Sequence, residues 1–211
     1  MRFLKAAFHI HTVYSKDSSF KTKKLIDLCL ENQVEVLIVA DHNTLLGYSE
    51  IKKILETTKN PLILIPCEEI ATREGEIAGL FLKQEIPRGL SLEETIHRIK
   101  GQGGLTCLPH PFDSVRRERI KDKKIIDAFI HDIDIIEVFN SRNIKKKDDQ
   151  KALDYAIKHD KAFLWGSDAH FDFEFRNCFF EIPVFEENPY SFLEQLKKAR
   201  PLVQRKGIRG F

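Results

Sequence analysis

Leu4-Lys5-Ala6-Ala7-Phe8-His9-Ile10-His11 opens the chain with a mostly apolar run that ends in a His-x-His pair. The same order, apolar run first and metal-ligand residues directly after it, recurs along the sequence. Val36 to Ala40 leads into Asp41-His42-Asn43, Leu105 to Leu108 into Pro109-His110-Pro111, and Ala162 to Trp165 into Gly166-Ser167-Asp168-Ala169-His170. Leu62 to Ile65 precedes Cys67-Glu68-Glu69. Chance yields such residue types easily, but not their repeated placement just past an apolar stretch. Short continuous apolar runs of this kind read as buried parallel strands. Ile77 to Leu82 and Ile135 to Val138 complete a set of seven.

Helix-like segments alternate with these runs: Lys23 to Asn32, Leu45 to Thr57, Leu92 to Gly101, Glu118 to His131 and Lys146 to His159, with Pro189 to Ala199 closing the chain. Ser91 with Glu94 forms a Ser-x-x-Glu capping box, and Leu92, Ile96 and Ile99 then mark an apolar face. Leu46, Ile51, Ile54 and Leu55 form a stripe in the second helix, as do Ala152, Tyr155, Ala156 and His159 in the fifth. Strand then helix, repeated, predicts an α/β fold with a parallel sheet closed or nearly closed into a barrel. In such barrels the loops after the strands converge on one rim, where chemistry is built.

That convergence lets ligands from distant parts of the chain meet. His9 and His11, two apart on an extended segment, are expected to point to one side and bind one ion. Asp17, Asp41, His42, Glu69, His110, Asp168 and His170 arrive at the same rim. Imidazole suits zinc, iron or manganese, and carboxylates bridge ions and offset their charge. A structural zinc site would show closely spaced cysteine pairs, which Cys29, Cys67, Cys107 and Cys178 do not form; Cys67 and Cys107 end strands and read as small buried hydrophobes with reduced thiols. His97, His131 and His159 lie inside predicted helices and read as bystanders.

These motifs resemble the PHP family, the polymerase and histidinol phosphatase domain. Phe8-His9-Ile10-His11-Thr12 with Ser15 and Asp17 is similar to its first motif, Val39-Ala40-Asp41-His42-Asn43 to the second, Pro109-His110-Pro111 to the third, and Gly166-Ser167-Asp168-Ala169-His170 to the fourth. The resemblance covers essentially the whole chain. It implies a distorted seven-stranded TIM-like barrel, two or three divalent ions (Zn, Mn or Fe), and hydrolysis of phosphate monoesters by a metal-activated water. Carried over residue by residue, His9, His11, Glu69 and Asp168 hold the first ion; Glu69 bridges to a second, held also by His110; Asp17, His42 and His170 hold a third. Glu69 is preferred to Glu68 because the family's ligand stands two residues after a small strand-ending residue, here Cys67. Where the family commonly has another histidine, this chain reads Gly75-Glu76-Ile77-Ala78-Gly79, which puts Glu76 in that place with harder oxygen ligation, or leaves the second ion unbound. Asp41 would orient His42 or manage the proton of the attacking water.

Divalent ions would outweigh Asp17, Glu69 and Asp168 and draw a phosphate into the cavity. Candidate phosphate clamps are Arg142 after Asn140-Ser141, Arg116 and Arg117 after the Pro-His-Pro motif, and Arg176 after the last motif. At 211 residues, 42% hydrophobic and 31% charged, the chain is expected to form a single domain spanning 1–211, without linker or low-complexity segment. The amino-terminal apolar run is short and carries the first two ligands, which argues against a signal peptide, and no stretch is long enough to span a membrane; a cytoplasmic protein is expected. A net charge of +2 does not mark a dedicated nucleic-acid binder. Lys145-Lys146-Lys147 and the tail from Lys197 through Arg209 read as a solvated face and a flexible end. A small phosphorylated metabolite or nucleotide is the expected substrate. A nuclease of the same fold and a non-enzymatic scaffold are the alternatives. Metal-dependent amidohydrolases also begin with His-x-His, but fit the later motifs poorly.

Overall fold

The computed structural model describes residues 1–203. Strands β1 (Phe3–Ile10), β2 (Val36–His42), β3 (Ile63–Ala71), β4 (Glu76–Leu80), β5 (Leu105–Leu108), β6 (Ile135–Asn140) and β7 (Ala162–Gly166) form the barrel staves. Helices α1 (Thr22–Glu31), α2 (Leu46–Thr58), α3 (Leu92–Gly101), α4 (Lys123–Phe129) and α5 (Lys146–Lys158) lie between them, and β8 (Cys178–Pro183), α6 (Pro189–Leu196) and β9 (Arg200–Val203) follow. The sheet order is β7-β6-β5-β4-β3-β2-β1-β8-β9. No helix among the described residues is long and apolar enough to cross a membrane.

Burial on both faces explains the continuous apolar runs. Leu4, Ala6, Phe8, Val36 and Ile38 pack into one core cluster, whereas Ala7, Ile10, Leu37 and Val39 pack into a second with Leu25, Ile51 and Phe175. The alternation slips at His9. Phe8 pairs with Ile38 and Ile10 with the very next residue, Val39, so His9 is the extra residue of a bulge, with φ 62°.

Several features depart from the sequence expectations. The sheet is mixed: β4 runs antiparallel to both β3 and β5, because the short loop after Ala71 can only turn the chain straight back. Strands β8 and β9 add to the seven; neither precedes a ligand motif, which hid them from a reading built on that order. β8 pairs with residues 3–6 of β1, while Ser167, Ala169 and His11 amides bond to Phe8, His9 and Ala169 carbonyls at 3.0, 3.2 and 2.9 Å. The outer edge of β1 is thus shared, and the barrel closes on β7's end only at the ligand-bearing rim. The fourth helix starts at Lys123, capped by Asp122, because the preceding residues are drawn to the rim, where the Glu118 carbonyl accepts the Glu76 amide at 2.9 Å. Leu46, expected in an apolar stripe, is exposed. Part of the basic tail forms β9, with Pro201 on a sheet edge where its missing N–H is tolerated; Gly207 and Gly210 lie outside the described residues.

Phe180 seals the shared edge. It is fully buried, pairs with Ala6 and lies 6.0 Å from the Trp165 ring. Phe180→Ala is expected to destabilise the fold by about 3–5 kcal/mol in a urea titration; a loss below about 1 kcal/mol would mean that β8 is not part of the seal.

Candidate metal centre

Backbone strain marks the strand ends. His9, Asn43, His110 and Asp168 have φ of 62°, 57°, 27° and 52°, conformations that cost on the order of 1–3 kcal/mol each in a non-glycine residue. His9 bends its strand from within, and the other three turn the chain just past theirs. At His9 the bulge, rather than extended alternation, lets His9 and His11 converge.

The convergence is tight. His9 Nε2 lies 3.3 Å from Glu69 Oε2 and 3.7 Å from Asp168 Oδ1, and His11 Nε2 lies 3.4 Å from both. All four atoms are buried without a hydrogen-bond partner. Donors about 2.0–2.1 Å from a tetrahedral ion stand roughly 3.3–3.4 Å apart, so these separations fit an ion among them. Such orphaned atoms are costly unless something charged sits between them. Glu69 extends the cluster: its Oε1 lies 2.9 Å from His110 Nε2, and His42 Nδ1 is 3.2 Å from Oε2. Glu76, on β4, approaches the same place, 3.8 Å from His110 Nε2 and 3.6 Å from His42 Nδ1. Asp17 Oδ2 lies 3.5 Å from His42 Nε2 and 3.3 Å from His170 Nε2. All nine residues named as ligands in the sequence therefore meet at one rim. Glu68 points the other way and accepts the Ile86 amide at 2.9 Å.

Burial and crowding set the protonation states. Burial disfavours a charged His9, but Glu137, Glu69 and Asp168 outweigh it and hold its pKa well above the usual value. Burial dominates at His11, whose pKa falls to about 3. Glu76 is raised to about 9 by burial and by neighbouring Glu69. Burial would raise Asp168, but His9 and Arg116 hold it well below the carboxylate range.

Several residues of the site escaped the sequence reading. Glu137, buried on β6, places Oε1 2.8 Å from His9 Nδ1, while Oε2 accepts from the His110 amide at 2.7 Å and from Asn140 Nδ2 at 3.1 Å. Asn140 also donates to Asp168 Oδ2 at 3.1 Å. The signal was a single acid inside the apolar run Ile135–Val138, where an ionised side chain needs partners. Gly166 makes room for it, since a Cβ there would lie 1.7 Å from Glu137 Oε1. Glu174 accepts the His170 amide at 2.8 Å. Asp41 accepts from the Thr12 amide, Thr12 Oγ1 and Ser15 Oγ at 2.6, 2.7 and 2.7 Å, and Ser15 Oγ in turn lies 3.2 Å from His11 Nδ1 and accepts the His42 amide at 3.0 Å. Its carboxylate thus braces the first loop and is not among the groups lining the cavity.

A cavity of about 510 Å³ opens above the cluster, lined by Asp17, His42, Glu76, Arg116, Arg142 and His170 among others. Arg116 bonds to Asp168 Oδ2, and Arg142 Nη1 lies 2.8 Å from His170 Nδ1. Two of the four arginines are elsewhere. Arg176 is exposed and bonds to Glu31 at 2.9 Å, drawn outward by the short turn Asp172–Asn177, and Arg117 lines a neighbouring depression. His97 is exposed on α3, His131 lies in the turn after α4 and His159 follows α5. The four described cysteines are buried and free.

The barrel and the donor-lined rim define a PHP-type fold. It is similar to a two-domain protein from Bacteroides vulgatus containing a predicted PHP-like metal-dependent phosphoesterase, with TM-score 0.78 and 18% identity over 96% of this chain; the chain spans 65% of that structure. A lesion-specific endonuclease from Pyrococcus furiosus matches with TM-score 0.70 and 15% identity over 95% of this chain and 58% of the endonuclease. An amidohydrolase from Chromobacterium violaceum with bound sulfate matches with TM-score 0.67 and 16% identity over 94% of this chain and 97% of its own. No family model matches. In sequence, the chain is 37% identical over 212 residues to an uncharacterized protein of Methanocaldococcus jannaschii, covering 96% of this chain and 84% of that one. A second protein of that organism is 39% identical over 172 residues, 76% of this chain and 96% of the relative. The chain belongs to one family with these two proteins, a family of PHP-type fold.

Glu137 supplies the first test of the centre. Glu137→Gln presents an amide N–H to either His9 Nδ1–H or the His110 amide, and is expected to weaken metal binding about 10–100-fold in competition with a chromophoric chelator. Unchanged affinity would reduce Glu137 to a packing role.

Proposed function

We propose that the chain is a metal-dependent phosphoesterase acting on small phosphate monoesters, a phosphorylated metabolite or nucleotide. The observation that carries this reading is the set of four buried, unpartnered donor atoms of His9, His11, Glu69 and Asp168, next to His42, Glu76 and His170, which line a cavity with Arg116 and Arg142. His9, His11, Glu69 and Asp168 would hold one divalent ion, Glu69, Glu76 and His110 a second, and Asp17, His42 and His170 a third. When bound, such ions acidify coordinated water and offset phosphoryl charge. The chain's own groups do the rest. Arg116 and Arg142 bind and orient the phosphate, Glu137 holds His9 with Nε2 directed inward, and Asp41 keeps Ser15 against His11 as a positioning residue.

Cavity size supports a small substrate, since about 510 Å³ suits a ligand of metabolite or mononucleotide dimensions. Asp113 and Glu118 stand at the cavity and would repel an extended polyanion, which weighs against the nuclease reading. A scaffold without activity would have no use for strained strand ends that gather nine donors.

Protein loaded with Mn²⁺, Zn²⁺ or Fe²⁺ is expected to bind at least two ions per chain, release phosphate from monoesters and stop on chelation. Asp168→Asn and His9→Ala are each expected to lower turnover by orders of magnitude, while His97→Ala changes little. Elemental analysis finding less than one ion on folded protein, or equal turnover in all three variants, would refute the reading. Glu76 separates two ions from three: Glu76→Ala should lose one ion, and Glu76→His should keep it with a preference shifted toward zinc. Unchanged metal content in Glu76→Ala would remove Glu76 from the ligand set.

A further inference from the structure

The two cavity arginines sit on different loops, and one helix end touches both. Asp148 and Asp149 are neighbours in the first turn of α5. Asp148 is buried, and its Oδ2 accepts from the Ser114 amide at 2.9 Å and Ser114 Oγ at 2.8 Å, two residues before Arg116. Asp149 Oδ1 accepts from Asn143 Nδ2 at 2.6 Å and from the Asn140 amide at 3.3 Å, on either side of Arg142. Burying a carboxylate is costly unless hydrogen bonds offset it; Asp148 Oδ1 is buried without one, and both bonds that the side chain makes, through Oδ2, go to the loop of another strand. The helix amino terminus favours both charges. Beyond Ser114, Asp113 Oδ1 accepts the Val115 amide at 2.9 Å and its Oδ2 lies 3.6 Å from Arg116 Nε. The anchor therefore passes from α5 through Ser114 to the guanidinium that reaches Asp168.

We propose that Asp148 and Asp149 are positioning residues that hold the Arg116 and Arg142 loops in one register, so that both guanidinium groups engage a single phosphate. The adjacency of the two acids fixes the spacing: neither loop shifts without α5. This deepens the phosphoesterase reading and rests on the two arginines being its anion clamp.

The test is a thermodynamic cycle on metal-loaded full-length protein, with inorganic phosphate as the probe in calorimetry and p-nitrophenyl phosphate in kinetics. Asp148→Ala is expected to weaken phosphate binding and raise KM about tenfold, with a smaller fall in kcat, but to change either by less than about twofold in an Arg116→Ala background. Ser114→Ala, at an exposed position where folding is not at risk, should weaken phosphate about three- to fivefold and likewise do nothing further without Arg116. Additive losses in the double variants, or a lowered melting temperature with phosphate affinity unchanged, would overturn the proposal. Failure of the activity reading looks different: phosphate would still bind, and respond to Asp148 and Ser114, while no ester is hydrolysed.

Discussion

Negative charge crowded into a dry space is the constraint on which this structure turns. Glu69, Asp168 and Glu137 are all buried within reach of His9, and Glu76 stands beside them. At such distances and in a medium of low polarity, like charges repel by several kcal/mol per pair. Nothing in the hydrophobic core offsets that. The compensation is electrostatic and local: the surrounding carboxylates favour the protonated form of His9, burial and Glu69 favour that of Glu76, and Arg116 presses against Asp168. These are the places a divalent cation would take over, releasing protons as it binds. The apolar barrel supplies the stability that lets this cluster persist, and the cluster supplies the demand for cations that gives the barrel its chemistry.

The backbone bears the cost of gathering these groups. Four non-glycine residues at the ligand-bearing rim, His9, Asn43, His110 and Asp168, adopt left-handed conformations, and two glycines remove side chains that would collide with the bracing carboxylates. Gly47 is the second: a Cβ there would lie 2.0 Å from Asp41 Oδ2. The barrel closes at the same rim, where residues 167–169 bond across to β1. Closure and ligand placement are thus one event. Asp168 and His170 reach the site because the segment carrying them is also the clasp of the barrel.

Much of this was legible in the sequence, for reasons that also explain what was not. The seven barrel strands stood out because burial on both faces makes them continuously apolar, and the ligands stood out because each directly follows its strand. Asp17 was expected at the rim from its place after the first motif and Glu76 through the family resemblance, and the structure brings both there. Glu137 was hidden because it sits inside a strand, where a lone acid carries no spacing signal. The bulge at His9 is invisible in residue types; only the pairing of Phe8 and Ile10 with successive residues of β2 exposes it. The antiparallel β4 depended on a short turn at Gly75, whose φ of 141° and contact with the Ile120 backbone are tertiary facts. Arg176 was misplaced because proximity in sequence to the last motif says nothing about which way a short turn points.

The arrangement also separates two tasks. The donors of the cluster sit at strand ends and on the clasp, where the sheet holds them, except Asp17 in the loop after β1. The arginines sit on loops, tied down by hydrogen bonds to α5 and to Asp113. A loop anchored by an acid at a helix start can shift its reach when that acid or its partner is exchanged, without disturbing the barrel beneath. The donor cluster is therefore set by the rigid layer and the placement of the two arginines by the adjustable one. Substitutions around Ser114 and Asn143 would move the arginines, while those around Glu137 and Gly166 would disturb the donor cluster itself.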